Sequence, residues 1–370
     1  MRRWLLPEHI EDVLPAEARQ IERLRRTILD LFEAHGYELV APPMLEYLES
    51  LLSGTGRDLE LATFKLVDQL SGRMMGVRAD HTPQVARIDA HLLNRQGVAR
   101  LCYCGSVLHT RPAGMTRTRE PIQIGAELYG HAGLDADVEV VRLMIAALKR
   151  AGLERVQVDL ANPAIYRALA AHAKVAPERA EEVFDAVQQK DAAAAGELGV
   201  LATLNGGVEV IARARRELPM LADIAAELDK LERLAERCAA QAVEVSVDLA
   251  ELGGFHYESG LSFAAFAPES PDAIARGGRY DEVGASFGRA RPATGFTLDL
   301  RQLAGLAPPA PARRRILAPA VEDAALDVAI AQLRDAGEIV VVDFAGHEAA
   351  REELACDRRL EKKDGKWRVT

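Results

Sequence analysis

The hydrophobic period of the chain changes several times, and each change marks a different element. From Pro15 to Ala34, apolar residues recur at Ile21, Leu24, Ile28, Leu31 and Phe32, the spacing that collects them on one face of a helix. Gly36 stops that helix. Residues 37–41 predict a short strand halted by Pro42 and Pro43, and residues 45–52 predict a second helix. This helix, strand and helix unit serves either as ordinary core or as a subunit interface. Residues 64–67 and 74–77 flank a turn containing Ser71 and Gly72 and predict a hairpin. A helix over 83–93 follows, with Pro83 at its first position; Thr82 either caps it or touches a ligand.

Residues 101–108 and 122–128 alternate apolar and small side chains and predict two strands. Between them, residues 110–119 carry Pro112 and Gly114 and can continue neither, so they form a charged loop at the tip of a hairpin. Gln123 and Glu127 lie an even number of positions apart and point to one face. That is the layout of a small-molecule pocket floored by a sheet, or simply of an antiparallel hairpin with a solvated loop.

Downstream, 135–149 predicts a helix and 155–160 a strand, and 162–241 is helical throughout, divided by Pro177 and Pro219. Strands return at 243–249 and 261–266, followed by ARGGRYDEV and ATGFTLDLRQL. Residues 307–312, APPAPA, form a linker, and the tail alternates strand and helix. The expected fold is α+β. Residues 1–160 and 243–306 form the core, 161–242 a helical insertion, 307–313 a linker and 314–370 a small α/β appendage.

Composition narrows the function classes. With 370 residues, 49% of them hydrophobic, the chain can build more than one core. A net charge of −10 and a pI near 5.5 disfavour nucleic acid as a partner, because a phosphate-binding surface needs excess cations. Cys102, Cys104, Cys238 and Cys356 are too few and too scattered for a disulfide framework or a zinc site. Reduced thiols, an N-terminus unlike a signal peptide and the absence of a long apolar run predict a cytoplasmic protein with no membrane segment, no metal and no cofactor.

The order of these parts resembles the catalytic core of histidyl-tRNA synthetase, a class II aminoacyl-tRNA synthetase, over about residues 6–306. GYELVAPPMLEY is similar to the first class II motif, the hairpin to the second and ATGFTLDLRQL to the third, with VRADHTPQVAR and GGRYD between them. The resemblance implies an antiparallel sheet flanked by helices, a dimer, and a histidine pocket made by Asp80, Thr82, Gln123, Glu127, Tyr257 and Tyr280.

The departures point away from catalysis. The family's phosphate-gripping Arg of the second motif falls on His109 and its Glu on Arg111; Gly, Glu and Arg of the third fall on Asp299, Arg301 and Gln302. A neutral imidazole cannot make the bidentate contact of a guanidinium, and one step around a helix turns Arg301 by about 100°. A further arginine, near the amino-acid carboxylate in the family, becomes Gly253, and Glu258 replaces a tyrosine of the imidazole wall. The tail is shorter than the family's anticodon-binding domain.

A synthetase-like chain without ATP grip or anticodon domain resembles the regulatory subunits of ATP phosphoribosyltransferase. That resemblance implies no catalytic residues. It also implies pairing with a short-form catalytic subunit in a hetero-octamer, and histidine feedback on the first step of histidine biosynthesis. Two other readings stay open: a divergent active histidyl-tRNA synthetase, and an RNA or amino-acid sensor using the same fold.

Overall fold

A computed structural model of the protein describes residues 4–54, 56–112, 118–253 and 258–370. It divides into two compact units, Met1–Pro309 and Ala310–Thr370.

The first unit is built on a nine-stranded sheet. Its strands run in the order Glu38–Leu39, Ala99–Ser106, Ile122–Tyr129, Ala293–Asp299, Ala275–Arg279, Ser262–Phe266, Gln157–Ala161, Glu244–Asp248 and Asn205–Gly207. The central pairings are antiparallel. Parallel pairs occur toward the edges, where Glu38–Leu39 joins Ala99–Ser106 and Gln157–Ala161 joins Glu244–Asp248. One face is covered by Pro15–Ala34, Leu134–Arg150 and Leu300–Leu306. Ile21, Leu24, Ile28 and Phe32 of the first helix pack with Ile124, Ala126, Leu128, Phe296 and Leu298 of the strands in one buried cluster, and Phe32 meets Phe296 edge-on at 5.8 Å. Burying each large side chain contributes roughly 1.5–3 kcal/mol. Because strand residues alternate, this core leaves Tyr103, Gln123 and Glu127 on the opposite face.

Several expectations need correction. Leu45–Tyr47 is a strand, antiparallel to Met74–Val77, and the helix begins only at Leu48. The region 162–241 is not helical throughout: Asn205–Gly207 forms an edge strand beside Glu244–Asp248. Asn-Gly-Gly carries no apolar alternation, so its pairing comes from a distant segment rather than from local pattern. The helix over 82–87 has His81 at its N-cap with no side-chain cap bond, and continues as a π-helix over Ile88–Leu93. The hydroxyl of Thr82 is engaged elsewhere.

Buried ion pairs brace the sheet, one behind it and one beside the helices of the pocket face. Arg279 alternates with Gly278 and Tyr280, so its side chain leaves the pocket face and reaches Asp137 on Leu134–Arg150, at 2.8 Å. Arg291 pairs with Asp89 at 2.9 Å.

The second unit has a four-stranded sheet in the order Ile339–Asp343, Arg315–Pro319, Arg358–Lys363 and Lys366–Val369, with one helix, Ala324–Asp335. Ile316, Ala318, Leu326, Ile330, Val340 and Leu360 form its core. Asp323 caps the helix, accepting from Ala325 N–H at 2.9 Å. The strand Arg358–Lys363, sequence RRLEKK, has no alternating signal to announce it, since only Leu360 in it is buried. Among the described residues of the chain, no helix is long and apolar enough to cross a membrane.

Candidate functional site

Sheet register assembles the site on the face left open by the core. Leu101 lies opposite Glu127, Tyr103 opposite Gly125 and Gly105 opposite Gln123. Across the sheet, Glu127 faces Gly295, Gly295 faces Gly278 and Gly278 faces Ser262.

Glu127 is the centre of the cluster and is 1% exposed. Its Oε1 accepts from the hydroxyls of Thr82 and Tyr103, both at 3.2 Å, and its Oε2 accepts from the hydroxyl of Tyr280. The Tyr280 hydroxyl is also 3.3 Å from that of Tyr129. Burial pushes the Glu127 carboxyl up to about 8; the hydroxyl donors oppose the rise and the nearby negative charge of Asp80 adds to it. A buried carboxylate surrounded only by neutral donors holds charge poorly. A cationic ligand would stabilise its ionised form.

Asp80 and Gln123 lie beside it. Burial raises the Asp80 carboxyl, opposed by hydrogen bonds from the Thr82 and His81 backbones and from the Gln123 side chain. Gln123 Oε1 accepts from His81 N–H at 3.2 Å and lies 2.9 Å from His81 Nδ1. An amide oxygen can only accept, so the imidazole carries its proton on Nδ1. The ring stacks on Tyr103 at 4.7 Å and 8°, and burial, with Arg78 nearby, pushes His81 down to about 4. It is a neutral wall of the pocket.

Of the predicted site residues, Asp80, Thr82, Gln123, Glu127 and Tyr280 therefore converge; Tyr257 lies outside the described residues. His81 and Tyr103 were not singled out by the sequence. The only available signals were the position of His81 between Asp80 and Thr82 and the parity of Tyr103 with its neighbours on the strand.

The far wall is formed by Glu258, which is 7% exposed. Burial holds its carboxyl well above the usual range, with the charge of Glu251 adding to the effect. A Cβ on Gly295 would fall 1.5 Å from Glu127 Oε2, and one on Gly278 would fall 2.8 Å from Glu258 Oε1. The two carboxyls thus lie over bare glycine backbone on adjacent strands. A cavity of about 600 Å³ opens on the Glu258 side, lined by Glu251, Glu258, Ser262, Phe263, Arg276 and Gly277 among others. A smaller one of about 100 Å³ adjoins Gln123, His109, Thr297, Asp299 and Gln302, and Arg276 borders it as well.

Where a phosphate grip of arginines is expected, this second cavity presents His109, Asp299 and Gln302, and Arg276 at its border is the one guanidinium among its described lining residues. His109 Nε2 lies 2.9 Å from the Ala79 carbonyl, so its ring is held by backbone. Asp299 caps the helix Leu300–Leu306, accepting from Arg301 N–H at 2.9 Å, and also takes Ile122 N–H at 3.2 Å. Arg301 turns toward the Glu120 carbonyl and Glu11. Gln302 donates to Ser270 at 3.1 Å.

The sheet and its pocket define a class II aminoacyl-tRNA synthetase-like protein of the histidine branch, and residues 9–303 match the family model for histidyl-tRNA synthetase. Residues 313–370 match a second model, the ATP phosphoribosyltransferase subunit HisZ C-terminal domain. The chain belongs to the family of ATP phosphoribosyltransferase regulatory subunits. The member from Ralstonia nicotianae is 58% identical, with 100% of this chain and 98% of that protein covered. The one from Burkholderia cenocepacia is 55% identical, with 100% and 99% covered. A crystal structure from Bacillus halodurans, described as an ATP phosphoribosyltransferase regulatory subunit/histidyl-tRNA synthetase, superposes with a TM-score of 0.83 at 26% identity, covering 96% of this chain and 97% of that one. Histidyl-tRNA synthetase from Nostoc, at 18% identity and a TM-score of 0.77 over 97% and 91% of the two chains, shares the fold.

Proposed function

We propose that the chain is the non-catalytic regulatory partner of a short-form ATP phosphoribosyltransferase catalytic subunit in histidine biosynthesis, and that its synthetase-like pocket senses free histidine. The carrying observation is a contrast within one sheet face. Glu127 keeps a full set of hydroxyl donors from Thr82, Tyr103 and Tyr280, while the phosphate side presents His109, Asp299 and Gln302. The ligand end of the pocket is built and the activating end is not.

In this reading the amino group of histidine meets Asp80, Thr82 and Gln123, and its ring enters the cavity beside Glu258. Tyr280 orients Glu127, and Tyr257 completes the predicted set. Regulation follows by linkage: histidine, or the catalytic subunit, binds one conformation of the assembly better and shifts it, and the coupling is reciprocal. A coupling of about 1–3 kcal/mol changes affinity roughly 5- to 150-fold. The core of 1–160 and 243–306 carries the pocket, and the insertion, linker and tail are available for assembly. The protein works in the cytoplasm as a self-dimer within a hetero-octamer. Exposed Leu39, Met44, Leu45 and Tyr47, in the segment similar to the first class II motif, support self-association.

The test mixes the purified chain with a short-form catalytic subunit and follows phosphoribosyl transfer with and without histidine. The expected result is a rate increase on mixing and its reversal by histidine. Histidine-dependent ATP–pyrophosphate exchange by the chain alone would overturn the non-catalytic reading.

A further inference from the structure

We infer that Arg276 receives the α-carboxylate of the amino acid in this pocket, in place of the arginine that position 253 lacks. The assignment rests on the histidine-pocket reading and names a residue for one end of the ligand.

Register places Arg276 on the ligand face. It lies opposite Thr297, and Thr297 lies opposite Gly125, in the row adjacent to the one containing Glu127, Gly295 and Gly278. Its side chain is exposed and borders both cavities. Among the described residues it makes no hydrogen bond or ion pair, its charge reaching Glu258 only through space, and most cavity acids are already engaged. Asp248 pairs with Lys190 at 2.7 Å, Asp159 accepts from Gln157 at 2.8 Å, and Glu251 accepts from Gly253 N–H at 2.8 Å. Glu258 is buried beside the same cavity with Oε2 unpartnered. A cation and an unfilled buried acceptor therefore share one cavity. An amino acid can answer both, presenting its carboxylate to the first and a ring N–H to the second.

The relation to position 253 makes the assignment specific. A Cβ built on Gly253 would stand 4.0 Å from Arg276 Nη1. The guanidinium thus reaches the entrance of the space that a side chain at 253 would use, approaching it from the strand Ala275–Arg279. Two arginines there would repel one another, so arginine at 276 and glycine at 253 form a consistent pair.

The experiment titrates the full-length chain calorimetrically with histidine, with histamine, which lacks the carboxylate, and with AMP. Wild type is expected to prefer histidine to histamine. Arg276→Ala should weaken histidine roughly tenfold to a hundredfold, as for loss of a charged hydrogen bond, and leave histamine nearly unchanged. Adding Gly253→Arg to that variant should restore part of the preference for histidine.

Unchanged histidine affinity in Arg276→Ala would overturn the assignment while leaving the pocket standing. So would equal weakening of histidine and histamine with an unaltered Tm, and so would a loss confined to AMP. Failure of wild type to bind either amine would instead remove the pocket reading itself, and the assignment with it.

Discussion

Gly295 stands directly opposite Glu127, and a methyl group at that glycine would fall 1.5 Å from the glutamate Oε2. The glutamate can lie flat against the sheet and gather its three hydroxyls only because position 295 has no side chain. Gly295→Ala should therefore displace Glu127 and break its bonds to Thr82, Tyr103 and Tyr280. The expected result is loss of measurable histidine binding and a stability loss of about 1–3 kcal/mol, the cost of leaving buried polar groups unsatisfied. Calorimetric titration and denaturant unfolding check the two effects separately.

The raised Glu127 carboxyl predicts a pH dependence with a definite sign. Its folded value of about 8 lies above its ordinary value of 4.5, so the native state binds the proton more tightly than the unfolded state. Stability should fall as pH rises through the window between those values. Buried Asp80 and Glu258 are shifted in the same direction. Glu127→Gln should flatten the slope of unfolding free energy against pH from 5 to 8; an unchanged slope would show that Glu127 does not titrate in that window.

The buried brace behind the sheet should matter more than any surface pair. Arg279→Ala leaves Asp137 buried without its partner, and a loss of about 3–5 kcal/mol is expected. Arg25→Ala, which breaks a half-exposed pair with Glu22 on the first helix, should cost about 0–1 kcal/mol. Parallel urea titrations decide whether that ranking holds.

Restoring one arginine should not restore catalysis. In His109→Arg, the new side chain would enter a cavity that still presents Asp299 and Gln302, with Arg301 directed toward Glu11 and Glu120. Amino-acid activation is expected to stay at background in a pyrophosphate exchange assay. Detectable exchange would mean that position 109 alone had silenced the site.

Local pattern located much of this architecture. The three-to-four spacing of Ile21, Leu24, Ile28 and Phe32 set both the first helix and the face it buries. The parity of Gln123 and Glu127 placed them together on one sheet face, and the departures at His109, Asp299 and Gln302 were visible as residue types before any geometry. The strands Leu45–Tyr47 and Asn205–Gly207 escape local pattern because they are short and held by pairing with residues distant along the chain, whereas Arg358–Lys363 escapes it because it is highly polar, although it pairs mainly with neighbouring Lys366–Val369.

What the sequence determined by itself was the order of motifs, the amphipathic faces and the missing phosphate cations, because these depend on residue type and on spacing within an element. Tertiary structure decided which side chains meet. Sheet register set Glu127 against Gly295 and Glu258 over Gly278, stacked His81 on Tyr103, and brought Arg276 within reach of the space beside Gly253. The chemistry of the pocket lies in those encounters, whose partners are separated by up to 170 positions or so and are joined only through hydrogen-bonded neighbours across the sheet.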